Sequence, residues 1–335
     1  MASRLVTTAD ALPARIQAGD QGAIARLITL VERRDPVGLQ LLSELNPGHR
    51  AHTIGVTGAP GSGKSTLVAR IAEVYRRDGK TVGILAIDPS SSLTGGALLG
   101  DRIRMASLAG DPGVFIRSMA SRGALGGLAR ASLDAVAVLE AAGMDVVILE
   151  TVGVGQAEVD VVGATHTVAV VSVPGMGDDI QAIKAGLLEV ADVHVVNKSD
   201  YRGAQRTVAQ LRDMLRLRHR RSGQWNVPVA QTVAETGEGA ADLVAEFARH
   251  RDWLERTGEI DSRDRRNASA RIRWAAQDLL ADQIRRRGAE FDDAVSRVAQ
   301  RQLDPHSAAA AFIRTTGPSR ARSGDLARSQ ARAEP

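Results

Sequence analysis

The octapeptide GAPGSGKS, Gly58 to Ser65, constrains this chain more than any other stretch, because it satisfies G-x-x-x-x-G-K-[ST] at every position. That pattern has physical meaning only between a strand and a helix. Here the preceding HTIGVT is an apolar β-type run, and the following STLVARIAEVYRR carries apolar residues at helical spacing. Gly58, Gly61 and Gly63, interleaved with Ala59, Pro60 and Ser62, let the backbone curl until successive N–H groups and the helix N-terminus face a phosphate. Lys64 then brings positive charge to the β and γ oxygens, the Ser65 hydroxyl is a ligand for Mg²⁺, and Thr66 completes the phosphate-contacting run. A glycine turn that only capped a helix would not need strand, spacing and helix together. The local sequence predicts a phosphate cradle.

The remainder of the chain fits an α/β fold around that cradle: a P-loop NTPase with a mostly parallel sheet flanked by helices. Seven short apolar runs alternate with helical patterns: His52–Thr57, Thr81–Ile87, Gly113–Ile116, Asp145–Leu149, Thr167–Val173, Val193–Val196 and Val227–Gln231. Residues 1–48 read as an N-terminal helical arm, with Ala23, Ile24, Leu27, Ile28 and Val31 on one face and breaks at Gly19 and Pro36. An arm this short has no core of its own and is expected to pack on its neighbour. The P-loop domain is expected over 49–260 and a C-terminal helical segment over 261–313. A polar tail rich in Gly, Pro and Arg, expected to be disordered, covers 314–335.

Composition narrows the classes further. At 335 residues and 44% hydrophobic content there is material for a sizeable core. Cysteine is absent, which excludes disulfide frameworks, zinc ribbons and thiol catalysis. Aromatic residues are 3%, too few for a base-stacking surface on single-stranded nucleic acid. The charge balance, 43 Lys and Arg against 39 Asp and Glu, is only mildly basic. The late Arg clusters DSRDRRNASARIR and DQIRRRG are interleaved with acids and read as a solvated helix face, so a nucleic-acid partner is not expected. Beside them Ile272, Trp274, Leu279, Leu280 and Ile284 point to helix packing, with a second copy of the chain as the expected partner. No apolar run of membrane-spanning length and no signal-type apolar core is found, so a cytoplasmic protein is expected.

Two loops bear on which nucleotide is held. Asn197-Lys198-Ser199-Asp200 directly follows the apolar run VHVV, at the carboxyl edge where ligands collect in such sheets. An aspartate there accepts hydrogen bonds from guanine N1–H and its 2-amino group. Adenine offers neither donor, so the carboxylate would be left unpaired. In this reading Asp200 selects guanine, the Lys198 stem lies over the base, and Asn197 braces the loop. Ala234, Glu235 and Thr236, after the next strand, offer backbone N–H groups to the base. Two acids close other strands, Asp88 in VGILAIDPSS and Glu150 in DVVILETVGVGQ, and both point toward the crevice of the P-loop as candidate oxygen donors for Mg²⁺. Asp101, in the Gly-rich stretch SSLTGGALLGDRIR, is a further metal-shell candidate. Glu150-Thr151-Val152-Gly153 stands where many GTPases have D-x-x-G; Gly153 N–H can sense the γ-phosphate. Gln156 is the candidate for positioning the attacking water. The catalytic set read from the sequence is Lys64, Asp88, Glu150 and Gln156.

Taken together, GAPGSGKST, DPSS, GGALLGDRIRM, FIRSMASRGALGGLAR, ETVGVGQAEVD, PGMGDDIQAIKAGLLEVADV and NKSD resemble the MeaB/ArgK-type GTPases, over most of residues 10–313. The resemblance implies a homodimeric GTP-binding chaperone of adenosylcobalamin-dependent acyl-CoA mutases such as methylmalonyl-CoA mutase. Its GTP/GDP cycle would gate cofactor loading and protect the mutase. The C-terminal helices would form the dimer. The resemblance also places Asp88, Asp101 and Glu150 on the family's metal-and-water positions. Asp178, Asp179 and Lys184 fall on a switch element that couples nucleotide state to the mutase. One departure is Val233-Ala234, where the family usually has Ser-Ala, so a hydroxyl contact to the base is replaced by backbone alone. Two other functions stay open at this point: a metallochaperone GTPase, and a kinase of a basic-amino-acid transport system. The first usually relies on Cys and His clusters, and the second has no H-R-D catalytic-loop pattern here.

Overall fold

The computed structural model describes residues 12–45, 50–88, 105–108, 110–120, 127–151, 164–175, 190–217 and 223–314. The tail 315–335 therefore lies outside the described residues. Two compact units divide between Trp274 and Ala275.

All seven apolar runs form strands: β1 (His52–Gly58), β2 (Val82–Asp88), β3 (Val114–Ala120), β4 (Val146–Thr151), β5 (Thr167–Ser172), β6 (Val193–Asn197) and β7 (Val229–Thr232). They build one sheet in the order β3-β2-β4-β1-β5-β6-β7, and every pairing is parallel. Strand β3 runs four residues beyond its expected end, because Arg117 to Ala120 stay in register with Leu85 to Asp88.

Parallel strands need crossovers, and helices on the two faces supply them. The first unit carries α1 (Leu12–Gln17), α2 (Gln21–Glu32), α3 (Pro36–Glu44), α4 (Lys64–Arg77), α5 (Gly127–Ala141), α6 (Ala204–Leu217) and α7 (Ala240–Thr257). Because side chains alternate along a strand, β2 and β4 each feed two cores. Leu85, Ile87, Val147 and Leu149 join α5 and the N-terminal arm on one face. Ile84, Val146 and Ile148 join α4 and α7 on the other. The arm is part of the first core. Ala23, Ile24, Leu27, Ile28 and Val31 are all fully buried, and each of the larger ones contributes roughly 1.5–3 kcal/mol on leaving water. Asp20 and Asp35 start α2 and α3 by accepting the N–H of Ala23 and Val37.

The helix α8 (Glu259–Arg286) begins two residues before the expected boundary at 261. Its first half docks on the amino ends of β1, β5 and β6. Arg263 clamps Asp192 through two bonds of 2.7 Å and donates to His166 O at 2.6 Å. Thr53 N–H donates to His166 Nδ1 at 3.1 Å, which puts the ring proton on Nε2, facing Asp264 Oδ1 at 3.1 Å. Behind them a buried chain runs from His52 Nε2 to Thr167 Oγ1 (2.8 Å) and on to His250 Nδ1 (2.9 Å). Burial holds the His250 pKa down at about 4, with Asp192 opposing, and holds His52 well below the usual histidine range. The stretch read as a solvated helix face is therefore two-sided: Arg263 and Asp264 turn inward, where His166 and Asp192, just before β5 and β6, present imidazole and acid partners. Trp274 packs on the first core, while Ile272 stays exposed.

The second unit holds the rest of α8, α9 (Gly288–Ala299) and α10 (Pro305–Arg314). Phe291 meets Phe312 edge-on at 6.0 Å, and the Arg287 guanidinium lies 5.0 Å above the Phe312 ring. No residue of α9 is buried, and Leu279, Leu280, Phe291 and Val295 are solvent-exposed. Among the described residues no helix is long and apolar enough to cross a membrane.

Candidate functional site

The glycine turn lies at the carboxyl end of β1, beside β4 and β5. At Gly58 any Cβ would stand 2.2 Å from the Val171 carbonyl of β5, so only glycine lets the two strands meet there. Gly63 caps α4 in the left-handed conformation (φ 84°), and a Cβ on it would meet Asn197 Nδ2 at 2.5 Å. The helix that follows aims its N-terminus into the turn, the geometry that attracts an anion. Lys64 is buried and donates to Gly58 O at 2.9 Å and Ala59 O at 3.0 Å, so its ammonium is held inside the turn. Ser65 Oγ donates to Glu150 Oε1 at 2.6 Å, with both groups buried. Register explains the meeting: Glu150 on β4 stands beside Val56 on β1, just below the turn.

A second cluster is fused to this one. Asn197 ends β6 beside Thr232 of β7 and is buried. Its Nδ2 donates to Ser62 O at 2.8 Å, while its Oδ1 accepts from Thr232 Oγ1 at 3.1 Å and Ala234 N–H at 3.0 Å. One amide thus ties the glycine turn to the loop after β7. Lys198 has a left-handed backbone (φ 55°) and donates to Gly61 O at 3.2 Å, laying its stem along the edge of the turn. Asp200 is exposed, two residues beyond. Ala234 is buried, whereas Glu235 and Thr236 are exposed.

Several other expected site residues can be placed only in part or not at all. Asp88 is the last residue of β2, opposite Ala120. Asp101, Gly153, Gln156, Asp178, Asp179 and Lys184 lie outside the described residues. Pro60 is exposed at the tip of the turn, and Ala59 and Thr66 are half-buried. The structure also brings in residues that sequence reasoning missed. Arg70 on α4 reaches the loop after β7, and Glu73, three residues further on, holds its guanidinium. Their spacing reads as an ordinary helix-surface ion pair, so no local signal pointed to a loop more than 160 positions away.

A parallel sheet with a glycine turn and a Lys-Ser helix start at the end of its central strand defines a P-loop nucleoside triphosphatase. The family profile described as methylmalonyl Co-A mutase-associated GTPase MeaB matches residues 24–289. The chain belongs to this family, and it is a GTPase. A relative in Pyrococcus abyssi named as a GTPase is 47% identical over 307 residues, covering 90% of this chain and 94% of that protein. The mitochondrial methylmalonic aciduria type A homolog of Mus musculus is 34% identical over 260 residues, 72% of this chain and 63% of that one. Among solved structures, a LAO/AO transport system kinase superposes with a TM-score of 0.67 at 24% identity, covering 92% of this chain and 97% of its own. At that identity the likeness speaks for the fold.

Proposed function

We propose that this GTPase is the chaperone of an adenosylcobalamin-dependent acyl-CoA mutase, gating cofactor loading onto the mutase and protecting it. The observation that carries the reading is the family match over residues 24–289, whose description ties these GTPases to methylmalonyl-CoA mutase. The name of the mouse relative, which refers to methylmalonic aciduria, supports the same partner.

In this reading Lys64 leaves the carbonyls of Gly58 and Ala59 for the β and γ oxygens of GTP, where it meets full negative charge in place of two dipoles. Residues Gly58 to Thr66 wrap the phosphates, and Asp200, with Asn197 and Lys198, reads guanine. The donor set around Ser65 fits Mg²⁺: a buried hydroxyl and a buried carboxylate are hard oxygen ligands. Ser65 and Glu150 would hold the ion, with Asp88 and Asp101 completing the set. When bound, Mg²⁺ draws charge from the transferring phosphoryl oxygens. Gln156 orients the attacking water, Gly153 senses the γ-phosphate, and Asp178, Asp179 and Lys184 pass the nucleotide state to the mutase. The segment 261–313 forms the homodimer.

Two measurements test this. The purified chain should hydrolyse GTP and not ATP; equal turnover would reject Asp200 as the base reader. A mutase supplied in solution should be captured differently by the GDP form and by the form holding a non-hydrolysable GTP analogue. Capture that is absent, or the same in both states, would reject the chaperone role.

A further inference from the structure

The loop after β7 commits almost all of its backbone donors internally. Val233 N–H donates to Glu238 O at 2.9 Å, and Ala234 N–H to Asn197 Oδ1 at 3.0 Å. Thr236 and Gly237 N–H both go to Val233 O, and Glu238 N–H goes to Thr236 Oγ1. Among these residues the Glu235 N–H alone takes part in none of the bonds. Ala234 N–H is already held by Asn197, so it is not available to a base.

The peptide plane that carries the Glu235 N–H is gripped from its other side. Its carbonyl, Ala234 O, accepts Arg70 Nε at 3.1 Å, and the next carbonyl, Glu235 O, accepts Arg70 Nη2 at 2.8 Å. A trans peptide is planar, with C=O and N–H pointing in opposite directions. Fixing Ala234 O therefore fixes the direction of the Glu235 N–H, away from Arg70. The third guanidinium nitrogen, Nη1, binds the Glu73 carboxylate at 3.0 and 3.3 Å, and Ser107 Oγ anchors that carboxylate at 2.9 Å. All three nitrogens of the guanidinium are used, two on the loop and one on its own helix. A cation on the carbonyl also polarises the amide and makes its N–H the better donor.

We propose that Arg70 is a positioning residue for purine selection, holding the Ala234–Glu235 peptide so that the Glu235 N–H donates to guanine O6. The proposal rests on the guanine-site reading above. Asp200 would read N1 and the 2-amino group, and the Arg70-held amide would read the oxygen at C6. Recognition would then use groups brought together from α4, β6 and the loop after β7.

The test compares affinities of the full chain for GDP and 6-thioguanosine diphosphate, in which a poor sulfur acceptor replaces O6 and the Asp200 edge is unchanged. Wild type should prefer GDP by about fivefold to tenfold, the worth of one neutral hydrogen bond. Arg70→Ala should weaken GDP by a similar factor, leave the thio analogue nearly unchanged and bring the ratio close to one. Arg70→Lys keeps the charge and the stem but has one nitrogen in place of three, so it should narrow the ratio as well, and it carries the test should the alanine variant fail to fold. Equal weakening of both ligands, or an unchanged ratio in Arg70→Lys, would overturn the proposal by reducing Arg70 to a structural support. Asp200→Asn separates the two readings, because its carboxamide offers a donor suited to xanthine O2. If Asp200→Asn fails to turn preference toward xanthosine diphosphate, the guanine-site reading falls. If it does turn while the Arg70 ratio stays fixed, only the Arg70 proposal falls.

Discussion

Asn197 offers the sharpest test of how the two halves of the site are joined. Its buried carboxamide makes three hydrogen bonds, to Ser62 O, Thr232 Oγ1 and Ala234 N–H, at 2.8, 3.1 and 3.0 Å. Asn197→Ala removes all three and leaves three polar groups without their partner. At about 1 kcal/mol for each neutral bond, the loss is about 3 kcal/mol. In the free protein the variant releases the loop after β7 from the glycine turn, and nucleotide must order it again on binding. That cost appears as a GDP dissociation constant raised by roughly a hundredfold, measurable by isothermal titration calorimetry. Asn197→Asp should be no better, because it keeps the acceptor but sets a carboxylate oxygen against Ser62 O. If Asn197→Ala binds GDP within threefold of wild type, the amide is not the link between the turn and the loop.

Other consequences follow from the docking of α8 and from the acid behaviour of the core. Arg263→Ala removes the guanidinium from the buried Asp192 carboxylate, which keeps the Val168 N–H at 2.9 Å but no longer has its counter-charge; breaking such a pair costs about 3 kcal/mol or more. The melting temperature should fall by roughly 6–12 °C, and a shift under 2 °C would show that α8 is not held there. Acid should destabilise the fold in a defined window. Unfolded histidine takes up a proton near pH 6.5, whereas folded His250 refuses it down to about 4, so its contribution is full above 6.5 and is lost as the pH falls through that range. The slope is about 1.4 kcal/mol per pH unit for each such histidine. His250→Gln should flatten the denaturant midpoint against pH, and an unchanged profile would contradict the assignment. For the proposed homodimer, Leu280→Asp places a charge on the exposed apolar face of the second unit and should halve the mass measured by light scattering. An unchanged mass would place the dimer elsewhere.

The sequence alone determined what is set by short stretches of chain. Gly58 to Ser65 is contiguous, so the curl, the lysine and the helix start follow from one octapeptide. The seven strands were legible because parallel strands buried on both faces are continuous apolar runs. The strand order, with β4 between β2 and β1, was not, since periodicity tells which face a residue takes and nothing about its neighbour. Distance in sequence hid the rest. Arg70 on α4 carries no mark of the Ala234 and Glu235 carbonyls it holds, and its pairing with Glu73 is a common helical spacing. Arg263 read as one charge in an Arg-rich helix, and only the fold set Asp192 and the His166 carbonyl beside it. Hydrogen bonds between remote residues depend on where the backbone carries each group, and that placement comes from the packing of the whole sheet.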